Sequence, residues 1–168
     1  MMLNFILLAI LLELVTGFAP TNKPSVVSRK NSLSMSSEEN LLDPSETAFV
    51  FIEFQNEFTT PGGKLYEAVE ETLVKFNTLP NAMKVLNFAR DTNSLVIHCP
   101  IEFEPGHKEI SGEYGILENV KSSEAFTANT WNSQICVQMA PRQGDLTVKG
   151  KTGLCGFHST NLDFLLRQ

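Results

Sequence analysis

The feature that most constrains this chain is the run Phe49-Val50-Phe51-Ile52-Glu53-Phe54-Gln55-Asn56-Glu57-Phe58. Its first four residues are apolar and β-branched or aromatic. Such a run reads as a strand buried on both faces, the pattern of a parallel sheet covered by helices. One acid interrupts it, a polar Gln-Asn pair follows, and Pro61-Gly62-Gly63 turns the chain. A carboxylate at the end of a buried strand is costly unless something pairs or uses it. In open α/β sheets, moreover, ligands bind outside the carboxyl ends of the strands. Glu53 is therefore the first candidate for chemistry.

The pattern around this run is regular. A strand is expected over Thr47–Phe54, and residues 65–79 carry apolar side chains at Leu65, Val69, Leu73 and Phe76, a helical spacing. A second helix is expected after Pro80, with Asn81 as its N-cap and Ala82, Val85, Leu86 and Ala89 on its buried face. Ser94–Cys99 reads as a second buried strand closed by Pro100. Residues 100–143 are a long irregular excursion with one short helix, and long excursions inside compact domains are usually functional or disordered. Asp145–Lys149 reads as a third strand. Thr160-Asn161-Leu162-Asp163 then resembles a capping box opening a last helix. Helical runs between strands predict an α/β domain, a parallel sheet with covered faces. A strand followed by a helix ordinarily crosses over to another parallel strand. The periodicity thus expects Gln168 to lie inside the domain, as in a fragment or truncated gene model.

A chain of 168 residues suggests one domain. Its net charge of −6 is unevenly placed: residues 1–37 carry +2 and the remainder −8. An acidic body argues against nucleic acid or an anionic membrane as partner. Cys99, Cys136 and Cys155 are too few for a disulfide scaffold and fit a reduced compartment or at most one bridge. The bland account of each is a small buried hydrophobe.

The first 44 residues read as an address rather than as part of the fold. Phe5–Leu12 is an apolar core of signal-peptide length, shorter than the ~20 residues of a membrane span, and residues 1–17 are assigned as a signal peptide. Residues 18–44 form a transit-like linker. Within it, residues 23–37 hold six serines and three basic residues with no acid. With Phe18-Ala19-Pro20 at the junction, the segment resembles the two-part presequences of algae with complex plastids. That resemblance implies a plastid location, the alternative being a secreted protein. The domain itself is assigned to residues 45–168, with no membrane contact in the mature form.

Several motifs in order extend the reading. Glu53-Phe54-Gln55-Asn56-Glu57-Phe58 resembles the first-strand motif of the isochorismatase-like cysteine hydrolases, acid-x-Gln-Asn-acid-Phe. Ile97-His98-Cys99-Pro100-Ile101 resembles the end of the family's second strand, and Gly115-Ile116-Leu117 and Ala125-Phe126 its middle region. Gly144–Lys151 resembles the strand before the family lysine, and Phe157–Asp163 the Phe-x-x-Thr-x-Leu-Asp segment after it. The resemblance spans residues 46–168. It implies a three-layer α/β/α fold with a Rossmann-like parallel sheet, and an acid–lysine–cysteine triad acting on a small molecule with an amide, ureide or vinyl-ether bond.

By that resemblance Glu53 is the acid and Lys151, six residues before Phe157, is the lysine, with Lys149 as runner-up. Phe58, His98 and Phe157 are the candidate substrate-binding residues. A lysine keeps a neighbouring carboxylate ionised, and a cation lowers the pKa of a nearby thiol; the bland alternative is a structural ion pair. Two departures stand out. The family acid is usually Asp, and the extra methylene of Glu moves the carboxylate by ~1.5 Å, where ~1 Å of misplacement can cost ~10²-fold in rate. The family nucleophile follows a Thr-Asn pair at the next strand-to-helix turn, and none of the three cysteines stands in that context, although Cys155 and Cys99 are the nearest substitutes. The expectation is a hydrolase that is inactive as this chain, or alternatively a non-catalytic binding or assembly module of the same fold.

No cofactor is implied. His98, His107 and His158 are widely spaced and carry no Asp-x-His metal pattern, and no phosphate-binding glycine loop occurs. Homo-oligomerisation is left open by the resemblance. Trp131 is a candidate lid residue, with packing as the simpler role.

Overall fold

The computed structural model describes residues 4–9, 43–112 and 115–168. Its sheet is parallel, with strands in the order β1 (Asn4–Ala9), β2 (Thr47–Ile52), β3 (Leu95–Cys99) and β4 (Leu146–Thr147). The helices are α1 (Asn56–Thr59), α2 (Tyr66–Lys75), α3 (Thr78–Asp91), α4 (Ile116–Ser122) and α5 (Leu162–Leu166). No helix among the described residues is long and apolar enough to cross a membrane.

Alternation along β2 and β3 sorts the core into two layers. Phe49, Phe51 and Val96 pack on one face against Ala82, Leu86 and Ala89 of α3, joined by Phe54, Cys136 and Met139. Ala48, Val50, Ile97 and Cys99 face the other way, onto Val148 and onto Leu162 and Leu166 of α5. A central strand with helices on both sides has no solvent face, which is why β2 is an unbroken apolar run rather than an alternating one. The fold is the expected α/β type with a parallel, helix-flanked sheet.

Local details depart from the periodic reading. Helix α3 begins at Thr78 rather than after Pro80, with Asn77 as its left-handed N-cap. Pro80 falls in the first turn, where the helix has no use for its missing N–H. Asn81 caps nothing of its own helix; its Nδ2 donates to the carbonyl of Phe76 at the end of α2. The expected capping box before α5 is also not formed. Asn161 takes the N-cap position and turns its Oδ1 to the N–H of Lys149, while Asp163 pairs with Arg167 one turn on. Strand β4 has two residues instead of five, because only Leu146 and Thr147 ladder onto β3.

Phe5–Ala9, within the apolar stretch read above as a signal core, pairs along β2 from Ala48 to Ile52. A signal core and a sheet strand make the same demand, a short uncharged apolar run. The cleavage junction and the Ser-rich transit segment fall in residues 10–42, outside the described residues.

Candidate active site

The chemistry gathers beyond the carboxyl ends of β2, β3 and β4. Glu53 directly follows β2 and adopts φ +60°, a left-handed conformation that non-glycine residues seldom take. Its N–H still bonds to the Cys99 carbonyl, as a continued ladder would have it. The strand thus ends by twisting at the acid, and such outliers cluster at functional sites. With this turn the longer Glu side chain meets Lys151. Lys151 lies just past β4 and is held by the Glu102 N–H bonding to its carbonyl. Its ammonium is wholly buried and donates to Glu53 Oε1 and, at 2.6 Å, to the Gly153 carbonyl, while Glu53 keeps 12 % of its side chain exposed. A buried lysine is thus paired to a carboxylate that still reaches solvent. A cavity of about 190 Å³ lies beside it, between Pro100, Gln134, Lys149 and Lys151.

The polar pair after Glu53 does structural work that its sequence context left unassigned. Gln55 is fully buried; its Nε2 donates to the carbonyls of Ile101 and Ser133 and its Oε1 accepts from the Ile101 N–H. One amide therefore ties the end of β2 to the loop after β3 and to the irregular 127–136 segment. Asn56 adds a bond to the Trp131 carbonyl. Glu57 is also fully buried, and its carboxylate accepts from the N–H groups of Lys64 and Phe126 and from Asn132 Nδ2. Three N–H donors thus meet the two oxygens, with no cation bonded to them among the described residues. Gly63 closes the same turn: a Cβ there would lie 2.3 Å from the carbonyl oxygens of Asn56 and Glu57.

The other sequence candidates scatter. Phe58 packs in the interior against Phe126, ring centroids 5.0 Å apart. Phe157 is half exposed on the loop after Lys151. His98 stands on the α3 face of β3, stacked on Phe51, with Nε2 3.1 Å from Asp145. Burial holds its pKa below the ordinary histidine value, against the pull of Asp145. Asp145 is itself pushed up by burial, but bonds from Arg90, the Arg142 N–H and His98 more than offset this and leave it low. The structure thus engages His98 with the Asp145–Arg90 cluster and not with Glu53 and Lys151. Lys149, the runner-up lysine, is exposed. Trp131 is partly exposed over Gly62.

The cysteines differ sharply. Cys136 is buried on the α3 face. Cys99 is fully buried at the end of β3, and burial raises its thiol to about 11 despite nearby Lys151. Cys155 is exposed, and the backbone N–H groups of Phe157 and His158, with help from Lys151, lower its pKa.

Comparison with known proteins adds to this geometry. The family model described as the isochorismatase domain matches residues 47–168. The ureidoacrylate amidohydrolase RutB of Rhizobium rhizogenes is 28% identical over 156 residues, covering 86% of this chain and 63% of that protein. Among solved structures, an isochorismatase family protein from Desulfovibrio vulgaris aligns with TM-score 0.57 and 22% identity over 71% of this chain and 60% of the other. An N-carbamoylsarcosine amidase from Thermoplasma acidophilum aligns with TM-score 0.54 and 24% identity over the same shares. The chain thus spans about three fifths of the length of the relatives it matches.

Proposed function

Because this chain belongs to the isochorismatase family, we propose that Glu53 and Lys151 are the acid–base half of a cysteine-hydrolase centre acting on a small amide or ureide. The observation that carries the reading is their ion pair: a fully buried ammonium against a carboxylate that still opens to solvent at a strained strand end. In such a centre the Glu53 carboxylate accepts the thiol proton as the thiolate attacks the carbonyl carbon. Lys151 sets its ammonium against that carboxylate and offsets charge as the proton moves. The similarity to a ureidoacrylate amidohydrolase supports an amide or ureide over a vinyl ether as the substrate class. Phe157, half exposed on the loop after Lys151, is the candidate to meet the apolar part of a substrate.

The 168 residues contain no cysteine after a Thr-Asn pair, the context of the family nucleophile. The reading therefore gives the acid and lysine to this chain and expects no turnover from it alone. The test is ammonia release from a panel of ureido, N-carbamoyl and primary amide compounds. It is run on the 168-residue chain and on the same chain joined to the remaining C-terminal portion of its Rhizobium relative. Silence from the first, turnover by the second, and loss of that turnover in Glu53→Gln and Lys151→Met are the expected results. Turnover by the joined protein that survives both substitutions would remove the pair from the mechanism. Turnover by the 168-residue chain alone, abolished in Cys155→Ser, would move the nucleophile to Cys155. The plastid address belongs to the same proposal. Residues 1–44 fused to a fluorescent reporter should enter a complex plastid, and secretion of the reporter would refute it.

A further inference from the structure

The loop after Lys151 crosses directly over the Cys99 thiol. A Cβ built on Gly156 would sit 3.3 Å from Cys99 Sγ, a tight contact, so the backbone here lies directly against the thiol. Cys155 is the next residue along. Adding one Cα–Cα step and the Cα–Cβ bond puts its Cα at most about 9 Å from Cys99 Sγ. The Cys99 Cα lies a further ~2.8 Å behind its Sγ, so the two Cα atoms are at most about 12 Å apart. A disulfide needs about 4.4–6.8 Å, and an inward displacement of roughly 5 Å closes the gap even at that outer limit. The segment that must move is free of helix and strand from Thr152 to Asn161, and Thr152, Leu154, Cys155, Phe157, His158 and Ser159 are all exposed. Gly153 and Gly156 flank Cys155 on either side.

We propose that Cys155 and Cys99 form a peroxide-sensitive thiol pair, in which exposed Cys155 is oxidised first and buried Cys99 resolves it into an intramolecular disulfide. The division of labour follows from exposure. A hydroperoxide in solvent reaches Cys155, and it does not reach Cys99 in the interior. Thiolate character favours the same order: the backbone amides that lower Cys155 stabilise its reactive anion, while burial keeps Cys99 protonated. In the first step the Cys155 thiolate attacks one peroxide oxygen and the O–O bond breaks. Cys155 becomes a sulfenic acid, and the leaving alkoxide or hydroxide takes a proton from water. In the second step Cys99 sulfur bonds to Cys155 sulfur, the S–O bond of the sulfenic acid breaks, and the departing hydroxide leaves as water with the Cys99 proton. The peroxide is reduced and the two thiols are oxidised together. The movement is coupled to Lys151, whose ammonium is bonded to the carbonyl of Gly153, two residues before Cys155. Drawing Cys155 inward shifts that carbonyl and loosens one of the two bonds that fix the lysine. The proposal stands on the packing of the loop and does not depend on hydrolase activity.

The test uses the reduced 168-residue protein treated with hydrogen peroxide in slight excess, then quenched with a thiol-alkylating reagent. The expected product has lost two hydrogens and yields, after trypsin, peptide 91–108 linked to peptide 152–167. Cys136→Ser should behave as wild type. Cys155→Ser should lose the link and leave Cys99 alkylated only after denaturation. Cys99→Ser should stop at a Cys155 sulfenic acid captured by dimedone. If wild-type Cys155 accumulates as the dimedone adduct, or bridges two chains, while Cys99 stays a free thiol, the pairing is refuted. The same holds if the Cys99→Ser protein forms a different link at the wild-type rate.

Discussion

Glu57 is the most exacting test of how this site is built. Its carboxylate is fully buried and, among the described residues, meets no cation; Oε1 accepts from the Lys64 N–H and Asn132 Nδ2, and Oε2 accepts from the Phe126 N–H. Glu57→Gln preserves the shape almost atom for atom. Its amide oxygen can take the Oε1 position and keep two bonds, now to a neutral acceptor. Its NH₂ then faces the Phe126 N–H, so one charge-assisted bond becomes two opposed donors. Losing a charge-assisted bond costs ~1.5–3 kcal/mol, and leaving a buried donor unsatisfied adds ~1–3 kcal/mol. The expected loss is about 3–5 kcal/mol. For a folded unit of this size each kcal/mol moves the midpoint by about 3–6 °C, so a fall of roughly 10 °C or more is expected. The assay is urea unfolding of both proteins, with thermal melts alongside. The denaturant midpoint should drop at an unchanged slope, since the surface exposed on unfolding is the same. Amide exchange should rise first at Phe126, which loses its acceptor. A Glu57→Gln protein within about 1 kcal/mol of wild type would mean that these three bonds contribute little to the fold.

Other perturbations separate the remaining contacts. Gly63→Ala places a Cβ 2.3 Å from two carbonyl oxygens of the α1 turn, so it should destabilise by more than ~3 kcal/mol in chemical denaturation, beyond the ~1–3 kcal/mol of ordinary overpacking; a near-neutral variant would refute the tight approach. Alkylation followed by peptide mapping across pH should show Cys155 reacting at lower pH than an ordinary thiol, with Cys99 reacting only after unfolding; Lys151→Met should move the Cys155 curve to higher pH. Asp145 and His98 both have lowered folded pKa values, so each binds protons more readily in the unfolded chain. Their contribution is present above the unfolded values, near 6.5 for His98 and 3.8 for Asp145, and is lost as pH falls through the folded ones. Stability should therefore decline on acidification below about pH 6.5, and His98→Gln should flatten the upper part of that decline in pH-resolved denaturation curves.

What could be read from the sequence divides along a physical line. Strands β2 and β3 were legible because a strand buried on both faces must be apolar throughout, and few other structures tolerate Val96-Ile97 or Phe49–Ile52. Helix α3 was legible in its buried stripe but not in its start, because the stripe says nothing about Pro80 being harmless in a first turn. The catalytic reading of Glu53 and Lys151 was reached through motif order; residue patterns alone favour a structural ion pair. Gln55 and Glu57 stood in the quoted motif without a role. Their burial depends on backbone groups at Ile101, Phe126 and Ser133, and no local property of residues 55–57 announces partners so far along the chain. His98 sat at a strand end as a site residue should, yet the parity of the pleat sends it to the α3 side with Phe51 and away from Cys99.

The sequence separations of these polar bonds carry a consequence for how the protein comes to be. Lys151 meets Glu53 across 98 residues, Ser133 meets Gln55 across 78, and Phe126 meets Glu57 across 69. Helices α2 and α3 close through neighbours along the chain and form on the submicrosecond scale of local events. None of the polar bonds can form until the loops between their ends have been closed against their entropy, which is the slow part of assembling a parallel sheet. During synthesis, Glu53, Gln55 and Glu57 emerge long before their partners and must wait hydrated. The site is therefore among the last parts of the molecule to exist, and its appearance reports that the chain has folded as a whole.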